Sequence, residues 1–175
     1  MNEALRAIWA ELGIDEAVIA TKQLRLYDEA EQLLEVEVAD DGRIWQLTPA
    51  ATAAWRAMQQ AALDDGIVLR IASAYRGTQR QVELIRRKLS MGQPIDNILQ
   101  VLAPPGCSEH HTGRAVDIYT PGGPVVEEAF ETTAAYAWLM ENAWRFGFRL
   151  SFPRDNPYGY VYEPWHWCFQ PTQLA

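Results

Sequence analysis

Cys107-Ser108-Glu109-His110-His111-Thr112-Gly113-Arg114-Ala115-Val116-Asp117 gathers two of the chain's three histidines, a glycine and Asp117 into eleven residues. The third histidine closes Glu163-Pro164-Trp165-His166, far downstream. Zinc takes neutral imidazole and carboxylate ligands from different parts of a fold, and keeps one position open when it does chemistry. His110, Asp117 and His166 are that set, and Glu163 is a base beside it. Because His110 and His111 are adjacent, no more than one of them is expected to ligate the same metal. Gly113 lets the chain turn so that loop and following strand face one site. Pro164 removes a ladder donor, so Glu163 and His166 need not obey strand parity. On this reading zinc acidifies its water toward a pKa of ~7, and Glu163 takes the proton as general base. Arg76, in the loop after a strand, is the candidate positive group for the developing oxyanion, with a structural role in that loop as the alternative.

Outward from these stretches, the chain reads as scaffold. Leu5, Ile8, Trp9 and Leu12 share one helical face, and Gly13 ends that helix. The residues from 14 to 32 show no clear period. Leu34–Val38 alternates, Asp40-Asp41-Gly42 turns, and Arg43–Leu47 returns, which predicts a hairpin. Thr48-Pro49 opens a helix running to about Leu63. A strand is expected over 67–72, a helix from Thr78 through Leu89, and a short helix or turn over 94–102. Further strands are expected over 114–119, 148–152 and from Val161 to Phe169, with a helix over 133–146. Strands interspersed with helices predict one α+β domain with a mainly antiparallel sheet. Residues 1–48 form an N-terminal helix and hairpin elaboration, expected to cover one side of the sheet or the cleft; 67–170 form the catalytic core.

The chain has 175 residues, enough to bury a core without disulfides. Apolar residues at 49% and charged residues at 22% fit a globular protein. A net charge of −8 argues against a nucleic-acid partner. No apolar run reaches the roughly 18 residues of a membrane span. The start carries acids and no basic leader, which makes the cytoplasm the expected location; a chain trimmed of its leader, and so periplasmic, would look the same. Cys107 and Cys168 read as buried thiols, with a disulfide or an auxiliary metal contact as alternatives. At strand spacing Cys168 points the same way as His166. The seven tryptophans read chiefly as core, while Trp165 and Trp167 flank His166.

Ser108-x-His110-x-x-Gly113-x-Ala115-x-Asp117 together with Glu163-x-Trp165-His166 resembles the zinc D-alanyl-D-alanine carboxypeptidases of the VanY type. Their wider group includes lysostaphin-type peptidases and the hedgehog signalling domain. Ser73-Ala74-Tyr75-Arg76-Gly77 with Gln81, Gly147-Phe148 and the aromatic run around Tyr160 are similar to that family's other signatures. The resemblance covers roughly residues 67–170. It implies a hedgehog/DD-peptidase-like fold, one zinc per chain on His110, Asp117 and His166, Glu163 as catalytic base, and Arg76 polarising the scissile carbonyl or binding a substrate carboxylate. It further implies substrate contacts by Gln81, Ser108, Tyr75 and Trp165, and no ligand role for His111. The implied activity is release of terminal D-alanine from a peptidoglycan stem peptide or muropeptide, by D,D or L,D cleavage. A D-Ala-D-Ala dipeptidase, a phage-type endopeptidase and a non-catalytic zinc-bearing binding module are the alternatives.

Overall fold

A short, doubly buried strand lies at the middle of the molecule. In the computed structural model, which describes residues 3–170, Ala115–Tyr119 (β4) is buried from Ala115 through Ile118. It pairs antiparallel on one side with Arg70–Ser73 (β3) and on the other with His166–Phe169 (β6). Phe148–Leu150 (β5) adds to the far side of β6, giving a four-stranded antiparallel sheet in the order β3-β4-β6-β5. Successive side chains on a strand point to opposite faces. Val116 and Ile118 therefore enter the core on one face, while Ala115 and Asp117 look out from the other.

Pro49–Asp64 (α3) and Ala134–Asn142 (α6) cover the first face, with Trp55, Met58, Leu139 and Phe148 fully buried between helices and sheet. Burying each such side chain contributes about 1.5–3 kcal/mol. A second apolar cluster joins Glu3–Leu12 (α1), Thr78–Ser90 (α4) and Ile95–Ile98 (α5) through Trp9, Leu12, Val82, Ile85 and Ile98, and ends at Cys107. Glu16–Thr21 (α2), capped by the Asp15 carboxylate, lies in the stretch that showed no period.

Leu34–Val38 (β1) and Ile44–Leu47 (β2) form the predicted hairpin as a separate two-stranded sheet, with Gly42 at φ +82° in its turn. Glu37 reaches from it to the open edge of β3, accepting from Arg70 Nε at 2.8 Å and from the Ile71 amide at 3.3 Å. A half-buried carboxylate thus occupies an edge that would otherwise offer unpaired N–H groups.

Several predicted elements change extent, the strand over 148–152 shortening to Phe148–Leu150 among them. The strand expected over 67–72 begins at Arg70, because the Ile67 amide bonds back to Ala62 and completes the end of α3. The helix over 133–146 divides into α6 and a 3₁₀ turn, Ala143–Phe146. The strand expected from Val161 narrows to His166–Phe169. Before it, the Glu163 amide bonds to Phe152 and the His166 amide to Glu163, a turn rather than a ladder. Among the described residues no helix is long and apolar enough to cross a membrane.

Candidate metal centre

Register brings the first two site residues together. Asp117 of β4 lies directly opposite His166 of β6, on the face turned away from the core. The third arrives on a 3₁₀ turn, Glu109–Thr112, whose start is capped by Ser108 Oγ accepting from the His110 amide at 3.3 Å. Gly113 ends the turn at φ +63°, a left-handed conformation that glycine adopts without strain.

Hydrogen bonds decide which nitrogen of each ring faces the site. His110 Nδ1 is 2.7 Å from the Ala74 carbonyl, which can only accept, so the proton sits on Nδ1 and the Nε2 lone pair faces Asp117 Oδ2 at 3.3 Å. His166 Nε2 is 3.0 Å from Glu109 Oε2, which can only accept from it, and its Nδ1 faces Asp117 Oδ1 at 3.0 Å, donating to it when the ring is charged and free to ligate once that proton is lost. One ligand atom from each of His110, Asp117 and His166 lies within 4.8 Å of the other two, all three residues being buried. Two imidazole nitrogens converging on one carboxylate favour a positive charge between them, and the donor set suits a divalent ion.

The electrostatics agree. Burial lowers the pKa of His110 and the nearby Arg76 charge adds to this, against the pull of Asp117, which keeps the ring neutral as a ligand must be. Burial alone would raise Asp117, but His110 and His166 hold it far below the ordinary carboxylate range. For His166 burial opposes the charge, yet hydrogen bonds to Asp117 and Glu109 win and push it up to about 10. The site attracts positive charge, whether a metal or a proton.

Beside these residues, Glu163 Oε2 is 3.8 Å from His166 Nδ1. Burial pushes its carboxyl up to about 7; Asp117 and Glu109 add to the shift, while His166 and Arg76 oppose it. A carboxyl poised there exchanges protons near neutrality. Arg76 is half-buried, and the loss of solvent lowers its pKa against the attraction of Asp117 and Glu163; its Nε–H is shielded and has no acceptor in the protein. All of these groups line one cleft of about 340 Å³, together with Ser108, Trp165, Phe152, Tyr160, Lys88, Val101 and Val126.

Seven of the nine predicted site residues thus meet in this cleft: His110, Asp117, His166, Glu163, Arg76, Ser108 and Trp165. Tyr75 and Gln81 do not. The Tyr75 hydroxyl donates to Glu29 at 2.7 Å, and the buried Gln81 donates through Nε2 to the Ala103 carbonyl at 2.6 Å, bracing the cleft wall from behind. His111 is no ligand: its Nε2 accepts from the Gly106 amide at 3.1 Å, so its Nδ1 carries the proton donated to the Arg76 carbonyl at 2.6 Å. Cys107 and Cys168 are free, buried thiols, not a disulfide, and burial raises the pKa of both. Glu109 and its partner Ser151 were not singled out from the sequence. Glu109 stood in view between Ser108 and His110, whereas Ser151 carries no local signal.

Residues 45–172 match the VanY D-alanyl-D-alanine carboxypeptidase family. A carboxypeptidase of Bacillus subtilis, YodJ, is 35% identical over 119 residues, which cover 66% of this chain and 43% of that protein. The chain spans less than half the length of the curated relatives it matches first. Among solved structures, the LdcB LD-carboxypeptidase superposes with a TM-score of 0.73 at 32% identity, covering 81% of this chain and 69% of that one. A mutant of the vancomycin-resistance D,D-pentapeptidase VanY, in complex with Zn(II), gives 0.62 at 30% identity, covering 82% and 79%. With the match extending from the hairpin across the whole sheet and both halves of the metal-facing cluster, this chain belongs to the VanY D-alanyl-D-alanine carboxypeptidase family.

Proposed function

We propose that this chain is a zinc-dependent carboxypeptidase that releases terminal D-alanine from peptidoglycan stem peptides or muropeptides. The observation that carries the reading is the convergence of His110, Asp117 and His166 on one point of the cleft, with the Glu163 carboxyl beside it. Two imidazole nitrogens and one carboxylate oxygen, with the cleft open beyond them, fit a catalytic zinc, one per chain. The family neighbour in complex with Zn(II) supports the choice of metal. When bound, zinc supplies an acidified water and polarises the scissile carbonyl.

The chain's own groups do the rest. Glu163 takes a proton from the attacking water and returns it to the leaving nitrogen. Arg76 donates its unpartnered Nε–H to the oxygen on which negative charge develops. Ser108 and Trp165, which line the same cleft, hold the terminal residue of the peptide.

The test is D-alanine release by the zinc-loaded protein from synthetic tri-, tetra- and pentapeptide stems. Release from the tetrapeptide alone makes the enzyme an L,D-carboxypeptidase, and release from the pentapeptide alone a D,D-carboxypeptidase. A dipeptide product reassigns it as a dipeptidase. No cleavage of any stem at one zinc per chain overturns the enzyme reading and leaves a zinc-bearing binding module.

A further inference from the structure

The two histidines facing the metal position are held on their far sides by different chemistry. His110 donates to a neutral backbone carbonyl, that of Ala74, at 2.7 Å. His166 instead faces a carboxylate, Glu109 Oε2, at 3.0 Å. The Glu109 side chain is 16% exposed, and the same oxygen accepts from Ser151 Oγ at 2.5 Å. Cys168, two residues along β6 from His166 and on the same face, lies against it as well. Glu109 is covalently next to His110 and hydrogen-bonded to His166, so a single residue ties the two ligand-bearing segments to each other.

Proton transfer to the leaving group already has Glu163, and the ligand atoms already number three without Glu109. What the second carboxylate supplies is orientation and electron density. A carboxylate that accepts the Nε2–H fixes the ring's tautomer, directs the Nδ1 lone pair inward and makes that nitrogen a stronger donor. We propose that Glu109 is a positioning residue that sets the metal affinity of His166, with Ser151 holding its carboxylate in place. This rests on the zinc reading above for the identity of the metal, but not on the substrate.

The experiment measures the zinc dissociation constant by chelator competition, without substrate, for the wild type and for Glu109→Ala, Glu109→Gln and Ser151→Ala, with circular dichroism as the check on folding. Glu109→Ala is expected to weaken zinc binding about 10–100-fold. Glu109→Gln keeps an acceptor for Nε2–H without the charge, and should recover part of that loss; Ser151→Ala should produce a smaller one. Folded Glu109 variants that bind zinc as tightly as the wild type overturn the proposal while leaving the carboxypeptidase reading intact. A wild type that binds no zinc overturns both. If Glu109→Ala does not fold, equal affinities for Glu109→Gln, Ser151→Ala and the wild type are the overturning result.

Discussion

The two segments that face each other across the metal position are positioned by opposite means. Residues 166–169 belong to a strand bonded on both sides, so β-sheet register alone places His166 opposite Asp117. Residues 105–113 have no ladder, and four of their backbone carbonyls are satisfied from outside the segment's own turn. Trp9 Nε1 donates to Pro105 at 2.9 Å, and the amides of Tyr27, Ala30 and Thr48 donate to Gly106, His111 and Gly113 at 2.8–2.9 Å. Three of these four donors precede residue 45, where the family match begins. A buried loop needs partners for its backbone groups just as a strand does. Here the N-terminal elaboration, which carries no motif of its own, supplies them, and so braces the catalytic loop rather than only covering the sheet.

The difference can be tested from the side of the strand first, where the expected effect is largest. Glu163 sits in the irregular turn that leads into β6, and Glu163→Gln should lower the rate of D-alanine release by about 10²–10⁴-fold while zinc stays bound. The wild-type rate should rise with pH as the carboxyl, pushed up to about 7, ionises, and this acid limb should vanish in the variant. An unchanged rate and pH profile would remove Glu163 as the base.

On the loop side, Gly113→Ala attacks the brace directly. A Cβ there would meet Leu33 at 3.0 Å, Ala30 at 3.1 Å and Thr48 at 3.2 Å, in a backbone conformation with φ +63°. The expected cost is roughly 1–3 kcal/mol in denaturant unfolding, with weaker zinc binding. Wild-type stability and metal affinity would show that the N-terminal segment does not hold this loop in place.

The smallest effect belongs to Glu29, on the brace itself. Its carboxylate accepts from the Thr78 amide and the Tyr75 hydroxyl, each at 2.7 Å, joining the brace to the start of α4. These hydrogen bonds lower its pKa against a small burial effect. Its contribution is therefore present above the ordinary value of 4.5 and is lost as pH falls through the depressed one. Glu29→Gln should cost about 1 kcal/mol near neutral pH and flatten the acid side of the stability curve. Identical curves for variant and wild type would place the cap elsewhere.

Much of this site was legible before any fold was known, because metal chemistry restricts residue types and spacing carries the rest. His110, Asp117, His166 and Glu163 stand out that way, Arg76 only through the family resemblance, and Asp40-Asp41-Gly42 announces the hairpin through local turn preferences. The hydrogen-bond partners of Tyr75 and Gln81 were not legible, because nothing in their own neighbourhood says which side of a wall a side chain meets. The partner of Tyr75 is Glu29, and that of Gln81 is the Ala103 carbonyl, 22 residues later. The strand start at Arg70 was missed for a related reason, since one backbone bond to Ala62 ends the helix late.

Sequence by itself determined the kinds of atom available for a metal, the base beside them and the alternation that makes a sheet, since these depend on residue identity and short-range spacing. Tertiary structure alone decided which nitrogen of each histidine faces the cleft and that Glu109 stands behind His166. Those follow from partners 36 and 57 residues apart in the chain, which only packing brings within hydrogen-bond reach.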